Sequence, residues 1–293
     1  MAVGEGVDAG TPAARLVARL RGRSPLVMGV LNVTPDSFSD GGRFIEAEAA
    51  RTRARAMVEE GADIIDVGGE STRPGADWVD VQTERERVIP LVEALQPLGC
   101  PISVDTTKAE IMAEAAAAGA AMINDVRALR GEGAAAAVAA SEVAVCLMHM
   151  QGEPRTMQRH PYYVDVVGEV GDFLAERVGV CEQHGIAAER IVVDPGFGFG
   201  KTLTHNLELL AGLEGLAERL GKPVLVGMSR KRMIGTILGD APLDRRLYGS
   251  VAAAVIAVMQ GARIVRAHDV GATRDALAVV NAVDGARSER TAA

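Results

Sequence analysis

Eight short apolar runs rich in valine and isoleucine recur along the chain, and each is followed by a glycine-rich or polar segment and then by a stretch of helical character. The runs are LVMGVLN, DIIDVGG, PISVD, AAMIND, VAVCLMH, RIVVD, PVLVG and ARIVRAHD. Strands that are apolar throughout and that alternate with helices indicate a parallel sheet buried on both faces. The pattern therefore predicts eight successive β→α units.

Polar or charged side chains stand at the carboxyl end of nearly every run. They are Asn32, Glu70, Thr72, Arg73, Asp105, Asn124, His149, Asp194, Lys231, Arg266 and His268. In an open sheet with strands spaced at ~4.8 Å the outermost of eight strands lie roughly 34 Å apart, too far to share one small substrate. Closure into a barrel points all the strand ends at one mouth. We therefore expect an α/β protein with a single domain, a (β/α)8 TIM barrel.

The barrel pattern occupies residues 24–284, and both ends of the chain lack apolar periodicity. We expect residues 1–23 to form a loosely ordered N-terminal extension and residues 285–293 a C-terminal tail. Two connections are long for this fold, residues 34–44 and residues 150–163. Long connections on the catalytic face of a barrel are candidate lids.

The formal net charge of −8 restricts the partners of the chain. Clustered lysine and arginine give affinity for nucleic acid and for anionic membranes, so we expect neither as a partner, and any anion site must be local. No apolar run approaches the ~20 residues that span a bilayer, and the opening segment lacks the apolar centre of a secretory signal. Three scattered cysteines, Cys100, Cys146 and Cys181, fit packing roles in a reducing compartment. These features predict a cytoplasmic protein.

Two polar segments follow the first two predicted strands. LNVTPDSFSDGG carries Asn32, whose side-chain oxygen suits a hard cation, and Asp36, which belongs to a region placed to close over a substrate. DVGGESTRPGA carries Thr72 and Arg73, and an arginine between threonine and proline on such a loop suits an oxyanion. A polar surface loop is the alternative for the first segment, and a solvated charge is the alternative for Arg73.

Asp105, Asn124 and Asp194 end the third, fourth and sixth strands, so a barrel brings them to the floor of one cavity. Any one of them alone could instead cap a helix, because aspartate and asparagine are good N-caps. Two carboxylates and a carboxamide around an apolar pocket suit a flat heterocycle with a guanidine-like donor edge, and a pterin has such an edge. Four residues are candidates to cover its ring faces, namely Phe197, Phe199, Met148 and Met150, with core packing as the alternative for at least two of them.

The segments after the seventh and eighth strands, GMSRKRMIG and ARIVRAHD, supply Lys231, Arg266 and His268. These two loops form the usual phosphate site of a TIM barrel. With Arg73 and Asn32 across the mouth, they predict a cationic pocket for a pyrophosphate group. A surface lysine and a packing histidine are the alternatives.

Another segment, DPGFGFGKT, imitates two nucleotide-binding fingerprints and fits neither. A Walker A loop needs glycine five positions before the Gly-Lys pair, where Pro195 stands, and the spacing of Gly196, Gly198 and Gly200 does not match a dinucleotide fingerprint. His149 is interpreted as a structural histidine.

In order along the chain, the segments GVLNVTPDSFSDGG, DVGGESTRPGA, SVDT, IND, CLMHMQG, DPGFGFGK, GMSRK and RAHD resemble the dihydropteroate synthase family over about residues 26–280. The resemblance implies a transferase of folate biosynthesis that condenses 6-hydroxymethyl-7,8-dihydropterin pyrophosphate with p-aminobenzoate. The products are 7,8-dihydropteroate and pyrophosphate, and Mg²⁺ assists. The resemblance also implies a homodimer and inhibition by sulfonamides.

The resemblance carries roles onto matching positions of this chain. The implied pterin site consists of Asp105, Asn124, Val126, Met148, Asp194, Phe199, Gly227 and Lys231. The implied p-aminobenzoate site consists of Thr72, Pro74, Phe199 and Lys231, and the implied pyrophosphate site of Asn32, Arg73, Arg266 and His268. Asn32 is the implied Mg²⁺ ligand, and the residues expected to act in catalysis are Lys231, Asp105, Asp194 and Asp36.

The chain departs from the family pattern at two positions, with Ala267 where valine is common and Arg232 where serine is common. Arg232 borders the implied p-aminobenzoate and sulfonamide site. Our hypothesis for the mechanism is an SN1-like step, in which pyrophosphate departs, the pterin delocalises the methylene cation, and the arylamine attacks. Two other functions compete with it: a pterin-binding methyltransferase that serves a corrinoid partner, and a catalytically silent pterin-binding paralogue.

Overall fold

The computed structural model describes residues 10–33, 42–71 and 78–292 of the chain, and within residues 42–47 and 288–292 it describes the backbone alone. Eight strands in this part close into a parallel barrel in the order β1 to β8. Their bounds are β1 Leu26–Asn32, β2 Ile64–Gly68, β3 Ile102–Asp105, β4 Met122–Asp125, β5 Ala144–Met148, β6 Ile191–Asp194, β7 Val224–Val226 and β8 Ala262–Ala267. The predicted (β/α)8 barrel is confirmed, and each strand lies within the run that predicted it.

Helices follow the strands and cover the outside of the barrel. Their bounds are α1 Pro12–Leu20, α2 Gly42–Glu59, α3 Val81–Leu95, α4 Ala109–Ala117, α5 Ala134–Ala139, α6 Val166–Gln183, α7 Leu203–Ala211, α8 Leu213–Leu220, α9 Arg232–Ile237, α10 Leu247–Met259 and α11 Val270–Ala292. The outer strand faces and the inner helix faces share one large apolar core. Removing this surface from water is the main source of stability in such a fold. None of the helices in the described ranges combines the length and the apolar character needed to cross a membrane.

The first helix closes the bottom of the barrel. Thr11 caps α1 by accepting a hydrogen bond from the backbone N–H of Ala14. Leu16 and Leu20 of α1 are buried and join the apolar side chains of the barrel interior. The expected loose extension over residues 1–23 is wrong for residues 12–20, which form a packed helix. Its buried residues Ala13, Leu16 and Leu20 recur at helical spacing, and burying them stabilises a helix that would be too short to be stable alone.

The barrel interior changes from apolar at the bottom to polar at the mouth. The lower layer contains Met28, Ile64, Met122, Val192 and Ile264 with other apolar side chains. Because strand side chains alternate between the two faces, the residue two positions further along a strand points inward again, one layer higher. At that higher layer stand Asp66, Asn124, Asp194 and Arg266. The alternation that builds the core therefore also places polar groups at the mouth.

The remaining expectations about the ends and connections have mixed outcomes. Residues 34–41 of the first expected lid lie outside the described part of the chain. In the second, residues 150–163, Met150, Met157 and Tyr163 are buried, and its function as a lid stays a prediction. Helix α11 continues to Ala292, past the expected start of the tail at residue 285, and its side chains from residue 281 to residue 287 are exposed.

Candidate active site

Five polar side chains converge inside the barrel mouth. Asp66 of β2 is fully buried, and Asp105 of β3, Asn124 of β4 and Asp194 of β6 are at most 7% exposed. Arg266 of β8 joins them because β8 pairs with β1, which closes the barrel and brings β8 within one strand of β2. Four of these five residues were predicted from the sequence, and they come from strands that are far apart along the chain.

Arg266 links the two sides of the mouth. Its Nε donates to Oδ2 of Asp66 over 2.7 Å, and its Nη2 donates to Oδ2 of Asp105 over 3.2 Å. Burial disfavours the charged guanidinium, but the two carboxylates outweigh this effect and raise the pKa of Arg266. The side-chain amide of Asn124 also donates to Oδ2 of Asp66, over 3.3 Å. One carboxylate oxygen of Asp66 thus orients both an arginine and an asparagine of the site.

Sequence reasoning missed Asp66. The segment DIIDVGG contains it, but its place inside an apolar run made it look like part of a strand rather than part of a site. Its Oδ1 is buried and has no hydrogen-bond partner among the described residues. A buried polar atom without a partner is uncommon and calls for a ligand or a water molecule. The signal available in the sequence was the charge itself, since an unpaired aspartate is costly within a strand buried on both faces.

The carboxyl groups of the mouth have altered acidities. Burial raises the pKa of Asp105, and the neighbouring Asp66 raises it further, while Arg266 opposes the change. Burial also raises the pKa of Asp194, against the opposing charge of Lys231. Perturbed carboxyl groups in a cleft are typical of functional sites.

Lys231 immediately precedes α9 and faces the β6 side of the mouth. Its Nζ donates to the backbone carbonyl of Phe197 over 2.6 Å and lies 4.5 Å from the centroid of the Phe199 ring. Burial lowers the pKa of this lysine to about 8, and the charge of Asp194 opposes that effect. Gly227, directly after β7, lies beside this lysine and Arg266, and a Cβ built there would make only ordinary contacts, at 3.9 Å from Nζ.

An apolar wall lies beside these charges. Val126, Met148, Met150 and Met157 form a separate buried cluster at the mouth, and Phe199 packs against it. Three of the predicted ring-covering residues, Met148, Met150 and Phe199, are therefore together beside Val126, whereas Phe197 is fully buried in the main core. A flat ring between such a wall and a row of carboxyl groups would have its faces and its polar edge satisfied at the same time.

The predicted anion residues Asn32 and His268 line a cavity of about 630 Å³, together with Arg53, Arg230 and Asp269. The ring Nδ1 of His268 lies 3.1 Å from the hydroxyl of Ser229, which also accepts a bond from the backbone N–H of His268. Arg230 pairs with Asp269 through two hydrogen bonds. Side chains that can donate hydrogen bonds thus line this cavity, from β1, from α2 and from the segments after β7 and β8.

Four predicted site residues, Asp36, Thr72, Arg73 and Pro74, lie outside the described part of the chain. Within that part, no group of three or more histidine, cysteine or acidic side chains has the arrangement of a metal site.

Comparison with known proteins gives the family. A model described as "Pterin binding enzyme" matches residues 28–268. A dihydropteroate synthase of Escherichia coli strain K12 is 54% identical over 267 residues, covering 91% of this chain and 94% of the relative. The chain belongs to the dihydropteroate synthase family.

Solved structures of dihydropteroate synthases agree with this fold. The enzyme of Yersinia pestis, in complex with a sulfonamide drug, is 50% identical with a TM-score of 0.84 and covers 90% of this chain and 95% of its own. The enzyme of Xanthomonas albilineans with 4-aminobenzoic acid is 53% identical with a TM-score of 0.84, at 89% and 93% coverage. The enzyme of Burkholderia cenocepacia with 7,8-dihydropteroate is 50% identical with a TM-score of 0.82, at 90% and 93% coverage.

In this dihydropteroate synthase family member, two buried lysines next to the mouth also escaped sequence reasoning. Lys108 follows β3 and bonds Glu70 over 2.5 Å, and it bonds the fully buried Glu84 of α3 as well. Its Nζ lies 4.3 Å from the centroid of the Trp78 ring. Lys201 is the second, and His149 is its neighbour over 2.9 Å. Lysine is usually found on protein surfaces, so the burial of these two lysines was not evident from the sequence.

Proposed function

We propose that this protein is a dihydropteroate synthase, a transferase that joins 6-hydroxymethyl-7,8-dihydropterin pyrophosphate to p-aminobenzoate. The observation that carries the proposal is the meeting of Asp105, Asn124, Asp194, Lys231 and Arg266 at one barrel mouth. Relatives about half identical to this chain bear the same name, and one of them holds 7,8-dihydropteroate.

The floor of the mouth recognises the pterin. Asp105 and Asp194 accept hydrogen bonds from the donor edge of the ring, and Asn124 can donate or accept beside them. Lys231 donates to a ring oxygen or nitrogen from the β6 side. Val126, Met148 and Phe199 cover the ring faces, and the backbone at Gly227 borders the pterin beside Lys231.

The cationic side of the mouth stabilises the departing pyrophosphate. Arg266, His268 and Arg73 donate to its oxygens, and Asn32 contributes from β1. The guanidinium of Arg266 is already oriented by two carboxylates, so little reorganisation is needed when charge develops on the leaving group. As the C–O bond to the methylene group breaks, its electron pair leaves with pyrophosphate and the pterin delocalises the resulting cation.

The arylamine completes the reaction. The nitrogen of p-aminobenzoate attacks the methylene carbon, forms the C–N bond and loses a proton. Phe199 and Lys231 border this second substrate. The roles expected of Thr72 and Pro74 beside it, and of Asp36 in closure, stay predictions, because these residues lie outside the described part of the chain.

Mg²⁺ fits the metal-binding residue at this mouth. Mg²⁺ commonly takes one or two protein oxygens and completes its shell with substrate phosphates and water, so a single amide oxygen is a sufficient protein ligand. Asn32 lines the cavity beside His268, and its Oδ1 lies next to the backbone of Gly68, where a Cβ would make only an ordinary contact at 3.5 Å. Asn32 would hold the ion, which when bound neutralises charge on the pyrophosphate.

A steady-state assay tests the reaction directly. We expect pyrophosphate release that requires both substrates, together with formation of 7,8-dihydropteroate in equal amount. A pterin-binding methyltransferase would release no pyrophosphate, and a silent paralogue would bind pterin without turnover. Sustained pyrophosphate release with both substrates present but without formation of 7,8-dihydropteroate would contradict condensation as the reaction.

Three further properties belong to the proposal. Sulfonamides occupy the p-aminobenzoate site, as the drug complex of the Yersinia pestis relative supports. The protein is cytoplasmic and forms a homodimer, which the exposed side chains of Tyr248 and Met259, about three turns apart on α10, support. Light scattering during size-exclusion chromatography tests the dimer, and a monomer at micromolar concentration would contradict it.

A further inference from the structure

The loop that follows β6, residues 195–200, has an unusual set of hydrogen bonds, and we call it the β6 loop. Each backbone carbonyl from Gly196 to Gly200 accepts a bond from a side chain. The pairs are Gly196 with Lys201 over 3.0 Å, Phe197 with Lys231 over 2.6 Å, Gly198 with Gln158 over 2.5 Å, Phe199 with Lys201 over 3.1 Å and Gly200 with Tyr163 over 3.0 Å. Side chains that lie outside the β6 loop therefore hold its backbone in one conformation.

Glycine is required where this loop passes the end of β5. Gly196 has φ 70° and Gly200 has φ 62°, in the left-handed region that side chains rarely adopt. A Cβ at Gly196 would stand 1.9 Å from the carbonyl oxygen of His149, and one at Gly200 would stand 2.3 Å from that of Gln151. With glycines at its turns the β6 loop has little intrinsic rigidity, so neighbouring side chains must provide it.

Lys201 provides more of these bonds than any other side chain named above. It is 3% exposed, and its Nζ meets three partners, the carbonyls of Gly196 and Phe199 and the ring Nδ1 of His149. No carboxylate within the described ranges forms a salt bridge with it. An ammonium group has three protons, so three acceptors satisfy it completely. This is the bonding of a structural crosslink between the loop and the end of β5.

The crosslink holds in both protonation states of the lysine. Burial lowers the pKa of Lys201 to about 7, and burial together with the Lys201 charge lowers the pKa of His149 to about 2, so the imidazole is neutral. A charged Lys201 donates three bonds, with His149 accepting at Nδ1. A neutral amine donates to the two carbonyls and accepts from an Nδ1–H of His149, so the geometry is the same.

The loop that Lys201 fixes touches two predicted pterin residues. The carbonyl of Phe197 accepts from Lys231, and the ring of Phe199 lies against the same ammonium group. The backbone N–H of Gly196 donates to Oδ1 of Asp194 over 2.7 Å. A shift of the β6 loop would therefore move both Lys231 and Asp194.

We propose that Lys201 is a positioning residue of the reaction, which crosslinks the β6 loop to His149 and so fixes Lys231 and Asp194 against the pterin. The inference rests on the proposed function of Lys231 and Asp194. Lys201 itself does not contact the substrate in this account. Its effect reaches the reacting groups through the carbonyls of the loop.

The test replaces Lys201 by methionine, which keeps the length of the side chain and removes all three hydrogen bonds. We expect kcat/KM for the pterin pyrophosphate to fall about tenfold or more, and a fluorescent free pterin to bind correspondingly more weakly. The matched control is Arg190→Met. Arg190 is equally buried, precedes β6 at the other end of the barrel, and donates to the carbonyls of Val138 and Val143.

Measurements are made at a temperature where circular dichroism shows each variant to be folded. Arg190→Met should lower Tm but keep kcat/KM and pterin affinity within about threefold of the parent. Tyr163→Phe removes only the bond to Gly200 and should give a smaller loss than Lys201→Met, so it provides an answer if the methionine variant does not fold. The inference would be overturned if Lys201→Met had the pterin affinity and kcat/KM of the wild type. If Lys201→Met is unfolded, the same result in Tyr163→Phe would overturn it. An equal loss in Arg190→Met would do so as well. Absence of turnover in the parent protein would instead refute the proposed function.

Discussion

Asp66 is the most informative residue to mutate, because it orients two residues of the mouth and its place in the site was not evident from the sequence. The perturbation we choose is Asp66→Asn, which keeps the volume and one oxygen acceptor and removes the negative charge. Alanine would be less informative, since leaving Arg266 with one of its two buried partners removed risks a loss of about 3–5 kcal/mol in stability.

The expected magnitude follows from the bonds that Asp66 makes. Its Oδ2 accepts from Arg266 over 2.7 Å and from Asn124 over 3.3 Å. A hydrogen bond to a charged group contributes about 1.5–3 kcal/mol, and a neutral amide oxygen retains part of that, so the loss is about 1–2 kcal/mol. If that energy orients Arg266 for the transition state, kcat/KM falls about five- to thirtyfold.

The pH dependence gives a second, signed readout. Burial is the largest cause that raises the pKa of Asp105, and the charge of Asp66 is the next. Removing that charge lowers the pKa of Asp105, so its carboxylate forms at lower pH. If Asp105 binds the pterin as a carboxylate, the ascending limb of the kcat/KM profile moves to lower pH in Asp66→Asn.

The assay is pyrophosphate release at varied pterin substrate, repeated across pH. The matched control is Asp63→Asn at the bottom of the barrel, where Asp63 accepts from Arg274 over 2.9 Å and from the backbone N–H of Val27 over 2.8 Å. This control removes a paired carboxylate far from the mouth and should change stability alone. Asp66→Asn with kcat/KM within twofold of the parent and an unmoved limb would refute the reasoning.

Three other predictions concern Lys231, Leu16 and Lys201. Lys231→Met should reduce kcat/KM by about two orders of magnitude or more while circular dichroism stays unchanged, and near-normal turnover would count against its role. Leu16→Ala should cost about 3 kcal/mol and lower Tm by roughly 6–12 °C with kcat unaltered, since it leaves a cavity at the barrel floor. Burial lowers the pKa of Lys201 from 10.5 to about 7, so the folded state binds fewer protons between these values and Lys201 favours folding more as pH rises through that window. The free energy of unfolding of the parent relative to Lys201→Met should therefore increase from pH 7 to pH 10, and a constant difference would contradict this.

The fold could be predicted because the strands are mostly apolar, and polar residues stand at or just beyond the end of nearly every one. β1 was predicted with its observed bounds, and the other strands differ from their runs by a few terminal residues. Helix α1 was not predicted, although its buried residues Ala13, Leu16 and Leu20 recur at helical spacing. The helix is short, and its stability depends on contacts of Leu16 and Leu20 with the barrel interior, which the sequence does not show.

The strand-end residues of the site could also be predicted, because parallel strands of a barrel bring their carboxyl ends together whatever their separation along the chain. Asp105, Asn124 and Asp194 needed only that rule. Arg266 and Lys231 needed in addition the convention that phosphate groups bind after the last two strands. The sequence did not give the partners of Arg266, because identifying them requires knowing which residues of the other strands lie at the same level of the barrel.

Asp66 and Lys201 illustrate what a sequence leaves open. Asp66 lies two positions after Ile64, so once β2 is placed with Ile64 inward, the aspartate must enter the mouth. The inference was available as soon as the inward face was fixed, but choosing that face requires the register of the neighbouring strands. Lys201 is different in kind, because its partners are backbone carbonyls, which every residue possesses. A crosslink to carbonyl groups therefore needs no particular residue type as its partner elsewhere in the sequence. Only the folded loop shows that this lysine is buried with its hydrogen bonds satisfied.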